Sequence, residues 1–322
     1  MDQLNESPTE PGFEMTQIVG PLTENPTPIP DTGVLVGLST APIIPAHPPR
    51  VSSEIPTLLN TFLFFMLAFA VSVILEIVTV ALALLLPPFR HQDFKTLALD
   101  ARLSIPSQAL VYLTLLSTTV LLFRGIWQRP FWQAIQWNAP AVTKRWIPLL
   151  GAGLLLGLLN GVASNYLPMP KEAPILNDLL RSSTGAWLMF LFGTTMAPLM
   201  EEIAFRGFLL PSLINFFRWL TRQRELPSDF AAPLSPSRPS PLIVASSILL
   251  ASLPFALLHG QQVSWAWAPI MLIGVISIAL CVVRLWTRSL AASTFVHATY
   301  NFTLFAGMII ASDGFRHLDK LN

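Results

Sequence analysis

Residues Met200–Leu210 read MEEIAFRGFLL, two adjacent glutamates and an arginine inside an otherwise apolar run. A charged side chain near the middle of a bilayer costs about 3 kcal/mol even on lenient scales, so three of them within seven residues demand partners or a function. On a helix, Glu202 and Arg206 are four apart and share one face, where each can offset the cost of the other. Glu201 points about 100° away and keeps no local partner. A carboxylate so placed suits a group that takes up and returns a proton. The competing reading is that both glutamates serve only to hold Arg206 between helices.

Working outward, composition sets the class. Of the 322 residues, 52% are hydrophobic and only 11% charged, and the mean hydropathy is +0.58. These are the proportions of an integral membrane protein. A net charge of +1 with no concentrated basic face argues against a nucleic-acid partner. The single cysteine, Cys281, excludes an intrachain disulfide and a cysteine-based zinc site, and is expected to be a small core residue.

Residues 1–56 hold 11 of the 29 prolines and seven acidic residues against one basic residue, Arg50. A disordered Pro-rich tail is expected there. It has neither the basic nor the compact apolar region of a secretory signal, and Met1-Asp2 lacks the glycine that myristoylation requires. Beyond it lie apolar segments at roughly 57–86, 105–123, 146–167, 186–210, 242–259, 265–283 and 289–311. Each is about long enough to span a bilayer as a helix, so the fold class expected is all-α, a polytopic bundle of about seven transmembrane helices. Trp127, Trp132, Trp146, Trp187, Trp219, Trp265 and Trp286 flank these segments, as an interfacial belt would. Trp127, Phe131 and Ile135 recur at helical spacing in the second loop, which predicts a short helix either on the membrane surface or buried. Lysine and arginine counts on alternate sides are 11 against 7, with the larger number on the N-terminal side. A cytoplasmic N-terminus in the cell membrane follows. The fourth loop, 218–241, is rich in proline and serine and reads as a flexible connection.

Two histidines sit in late spans with the same helical logic. Phe255 and His259 are four apart in FALLH, and His297 and Asn301 are four apart in HATYN, so each pair shares a face. Either histidine alone could be a satisfied core residue; three spans offering a carboxylate, an imidazole, and an imidazole with an amide point to one polar site. His47, His91 and His317 fall in the tail, a loop and the C-terminus, and carry no assigned chemistry.

EEIAFR, FALLH and HATYN, in this order, resemble the EExxxR, FxxxH and HxxxN motifs of the CAAX prenyl protease and bacteriocin-processing (CPBP, or Abi) family of intramembrane proteases. The resemblance covers about 184–312 and divides the chain into a tail (1–56), N-terminal transmembrane helices (57–183), a protease core of four helices (184–312) and a C-terminal tail (313–322). It implies that Glu201 activates a water with help from His259, that His297 and Asn301 stabilise the oxyanion, and that Glu202 and Arg206, with Phe255, support them. It implies a membrane-associated protein or peptide as substrate. A base, a positioned water and donors aimed at developing charge are what peptide hydrolysis requires.

Glu201, His259 and His297 are also a His-His-carboxylate set, so a divalent metal such as zinc is an open alternative. Other classes fit some of the same residues. A proton-coupled transporter places glutamate, arginine and histidine in membrane helices, though it often shows two related halves and no second EEIAFR occurs. A non-catalytic membrane binding scaffold of the same fold is the third class. Depth is the difficulty: Glu201 and His297 fall well inside their segments, His259 at the end of its own. The fifth helix must tilt or continue, or the fourth must bend near Pro198.

Overall fold

The structure is a computed structural model that describes residues 55–170, 177–178, 180–224 and 239–321. The expected tail, but for its last two residues, and positions 225–238 of the fourth loop lie outside the described residues. Among the described residues all regular structure is helical, and seven helical segments are long and apolar enough to cross a membrane.

The first three are α1 (Leu58–Ala83), α2 (Ala101–Trp127) and α3 (Trp146–Ser164). The fourth segment is composite: α4 (Ser183–Thr194), α5 (Met196–Glu202), a π-helical turn over Ile203–Leu209, and α6 (Leu210–Arg224). Then follow α7 (Pro241–Leu258), α8 (Trp267–Thr287) and α9 (Leu290–Ala311). Polar caps set several starts. Thr57, Asp100, Ser182, Ser240 and Ser289 each accept a hydrogen bond from a backbone N–H of the first turn, satisfying donors that would otherwise be orphaned.

The fourth segment does bend near Pro198. Pro198 has no N–H to give to the carbonyl of Thr194, and the break falls at Thr195, whose backbone leaves the helical region with φ −124° and ψ −77°. A second irregularity follows at once. Leu210 N donates to Phe205 O, five residues back, in the wide turn that carries Arg206. The fifth helix does not continue past His259; it ends at Leu258, and a 3₁₀ turn over Gly260–Val263 takes the chain into α8.

Packing uses two devices. Aromatic rings tie the N-terminal spans to the charged turn: Phe208 stacks on Phe64 of α1 at 4.6 Å between centroids and meets Phe123 of α2 at 5.0 Å. Such pairs contribute about 0.5–1.5 kcal/mol each beyond their burial. Small residues bring α3 onto α9 instead. A Cβ at Gly153 would stand 2.5 Å from Thr299 Cβ, and one at Gly157 would stand 2.6 Å from Thr303 Cβ. Only glycine permits that approach, the means by which membrane helices gain close contact without a hydrophobic driving force.

The second loop is buried. Phe131 and Ile135 are core residues, and short helices run over Phe131–Ala134 and Ala139–Thr143. Trp127 also leaves the interfacial belt assigned to it, since its indole Nε1 donates to Asn60 Oδ1 at 3.1 Å in the core. Of the two placements expected for this loop helix, the buried one is found. Arg284 holds the loop down, donating to Gln136 Oε1 at 2.9 Å and to the carbonyl of Ile135 at 3.2 Å.

Candidate active site

Glu201 and Glu202 are the last residues of α5, and the helical offset sends their side chains into different surroundings. Glu202 is fully buried and lies 3.0 Å from Arg206 Nη1, itself fully buried. The guanidinium is held from two further sides. Its Nη2 donates to Ser277 Oγ at 2.7 Å and to the Ser277 carbonyl at 3.0 Å, and its Cζ lies 4.5 Å over the ring of Phe255. A buried cation paired, hydrogen-bonded and stacked in this way avoids most of the penalty that an isolated charge would incur.

Glu201 instead lines a cavity of about 550 Å³, as do His259, His297 and Asn301. The side chain of Glu201 keeps 22% of its surface accessible. His297 links the two surroundings: its Nδ1 lies 3.1 Å from Glu202 Oε1 and its Nε2 lies 3.7 Å from Glu201 Oε2. With Nδ1–H donated to the Glu202 carboxylate, the imidazole is fixed in orientation and presents Nε2 toward Glu201. His259 is oriented by other means. Its Nδ1 lies 2.8 Å from the carbonyl of Phe255, which can only accept, so Nδ1 carries the proton and Nε2 is left for the cavity. Phe255 wedges between these groups, 4.9 Å from the His259 ring and 6.0 Å from that of His297.

Asn301 is anchored across the break in the fourth segment, where its Nδ2 donates to the carbonyl of Gly193 at 2.7 Å. Gly193 stands in the last turn of α4, so this bond uses a carbonyl that the helix end leaves free. One Asn301 N–H and the side-chain oxygen remain. Among the described residues no three His, Cys, Asp or Glu side chains stand where they could hold a metal ion together, the trio Glu201, His259 and His297 included.

The three motifs thus meet at one place. Residues 183–303 match the family described as type II CAAX prenyl endopeptidase Rce1-like. Over that segment, which carries all three motifs, the chain is similar to the CPBP family. No curated protein and no solved structure matches the chain. Seven helices long and apolar enough to cross a membrane, together with the family match, mark the chain as an integral membrane protein.

Two features of this site differ from the sequence reading. His297 does not stand with Asn301 alone; it bridges the two glutamates, and Glu202 with Arg206 positions that imidazole more directly than it positions Glu201. The cavity is also not closed by spans four to seven alone. Gln108 and Tyr112 of α2 line it, as do Gln262 and Tyr300. Gln108 and Tyr112 lie four apart on one helical face, the one signal in the sequence that pointed to them.

Proposed function

We propose that the protein hydrolyses a peptide bond of a membrane-associated protein or peptide, with Glu201 as the general base. The observation that carries this reading is the joint placement of Glu201, His259, His297 and Asn301 around one partly open cavity. A water in that cavity gives its proton to Glu201 as its oxygen adds to the peptide carbonyl carbon. The carbonyl oxygen takes up negative charge, and the donors suited to receive it are the remaining N–H of Asn301 and His297 Nε2 when it carries a second proton, the Nδ1–H being committed to Glu202. The C–N bond then breaks, and Glu201 returns the proton to the leaving amine. His259, with Nδ1–H held by Phe255, offers Nε2 to orient the water.

Intramembrane placement suits a substrate whose apolar or lipid-anchored end stays in the bilayer while its peptide segment enters the cavity. The family description names a prenylated CAAX sequence, so a membrane-bound peptide carrying a prenylated cysteine is the first substrate to assay. Purified protein in liposomes should release a peptide fragment from it, and the Glu201→Gln variant should not. Equal release by both would refute the role of Glu201, and the absence of release from a panel of lipid-anchored peptides would refute the protease reading.

A further inference from the structure

Glu76 is a carboxylate in the last third of an otherwise uncharged first span, level with the first turns of α2, and the chemistry above makes no use of it. An exposed glutamate on a lipid-facing helix is costly unless something polar lies beside it. Something does. Between α1 and α2 lies a second cavity of about 160 Å³, lined by Ser72, Glu76 and Thr79 from one helix and by Ser104, Ser107 and Gln108 from the other. Ser107 Oγ donates to Thr79 Oγ1 at 3.2 Å across it. Ser104 and Gln108 line both this cavity and the larger one that holds Glu201, so the two adjoin along a shared polar wall. The hydroxyl oxygen of Ser104, in that wall, is buried and makes no hydrogen bond within the protein. Buried polar atoms of this kind are ordinarily satisfied by water.

Size decides what the seam can carry. At about 30 Å³ per molecule, 160 Å³ accommodates a handful of waters and no extended peptide. Need decides the direction. Each hydrolysis consumes a water at Glu201, and a peptide seated in the larger cavity obstructs the opening through which that cavity meets its surroundings. We propose that the seam between α1 and α2, headed by Glu76 and passing Ser104 and Gln108, is a water passage that feeds the Glu201 cavity while substrate is bound. This role rests on the hydrolytic reading of Glu201; the existence of the passage does not.

The two are therefore measured separately. Radiolytic hydroxyl-radical footprinting of the whole protein in liposomes oxidises side chains next to bound water. Leu97 and Val111 line the seam although both are buried, whereas the equally buried Leu149 and Leu280 line none of the cavities described. Leu97 and Val111 should oxidise several-fold faster than Leu149 and Leu280. Two independent plugs, Ser72→Leu and Ser107→Leu, should each remove that excess and lower kcat several-fold with KM unchanged, since the passage acts after binding. Thermal midpoints identify a plug that fails to fold, and the other then carries the test. Oxidation of Leu97 and Val111 no faster than that of the controls overturns the passage whatever the activity. Excess oxidation abolished by a folded plug with kcat unchanged overturns its role in supply. Excess oxidation in a protein with no Glu201-dependent cleavage overturns the hydrolytic reading, and the supply role with it.

Discussion

The cavity around Glu201 and the packed interior around Arg206 lie on either side of one helical turn and are built from different materials. Around Arg206 the surroundings are closed: Glu202, Ser277 and the Phe255 ring enclose the guanidinium, and neither member of the ion pair reaches solvent. Around Glu201 the partners are spaced: His297 Nε2 stands at 3.7 Å, beyond a direct hydrogen bond, and the carboxylate stays partly accessible. One region is dry and closed, although Glu202 Oε2 and Arg206 Nε make no hydrogen bond there, and the other leaves room for a reactant. His297 touches both, so the rigidity of the first is transmitted to the geometry of the second. The comparison teaches that the paired glutamates divide labour by burial: chemically identical side chains one residue apart do different work because one is dry and paired.

The largest effect should come from breaking the dry region. Glu202→Gln leaves Arg206 buried without its counter-charge, and removing one partner of such a pair costs about 3–5 kcal/mol. Thermal or denaturant unfolding in one detergent should register that loss. Combining it with Arg206→Met should be milder than either change alone, and strict additivity would show that the pair is not energetically coupled. Ser277→Ala comes next. It removes a hydroxyl bond to a charged group and should cost about 1.5–3 kcal/mol of stability, with cleavage per folded molecule retained. Loss of cleavage at unchanged stability would erase the boundary between the regions. Phe255→Leu should give the smallest change in stability, about 1–2 kcal/mol from the lost cation–π contact. Because the ring also borders both histidines, cleavage should fall more than stability does; the reverse order would make Phe255 a purely packing residue.

Much of this was legible in the sequence because helical spacing is a local property. The separation of Glu201 from Glu202, the pairing of Glu202 with Arg206 and the facing of Phe255 with His259 all follow from a 3.6-residue period. The depth of His259 was legible only as a conflict; in the structure a break at Thr195 and a 3₁₀ turn after α7 interrupt the simple rods, and His259 lines one cavity with Glu201 and His297. What stayed hidden comes from other spans. Ser277 is an ordinary serine in an apolar helix, 71 residues from the arginine it serves, and Gly193 acts through a backbone carbonyl that any residue would possess. Gln108 and Tyr112 lie outside the matched segment, and only packing of α2 against the core brings them to the cavity. Arg284 was overlooked because it stands at the end of its helix, where an arginine ordinarily meets water; here a folded loop covers it.

The division of labour is tested most directly by measuring peptide cleavage and thermal stability together on Glu201→Gln and Glu202→Gln in liposomes of one composition. Glu201→Gln should lower cleavage by about 100-fold or more, the contribution typical of a general base, while its unfolding midpoint stays near that of the unaltered protein. Glu202→Gln should lose stability first and activity with it. A Glu201→Gln protein that still cleaves, or one destabilised as strongly as Glu202→Gln, would contradict the assignment of the two carboxylates to an open catalytic region and a closed structural one.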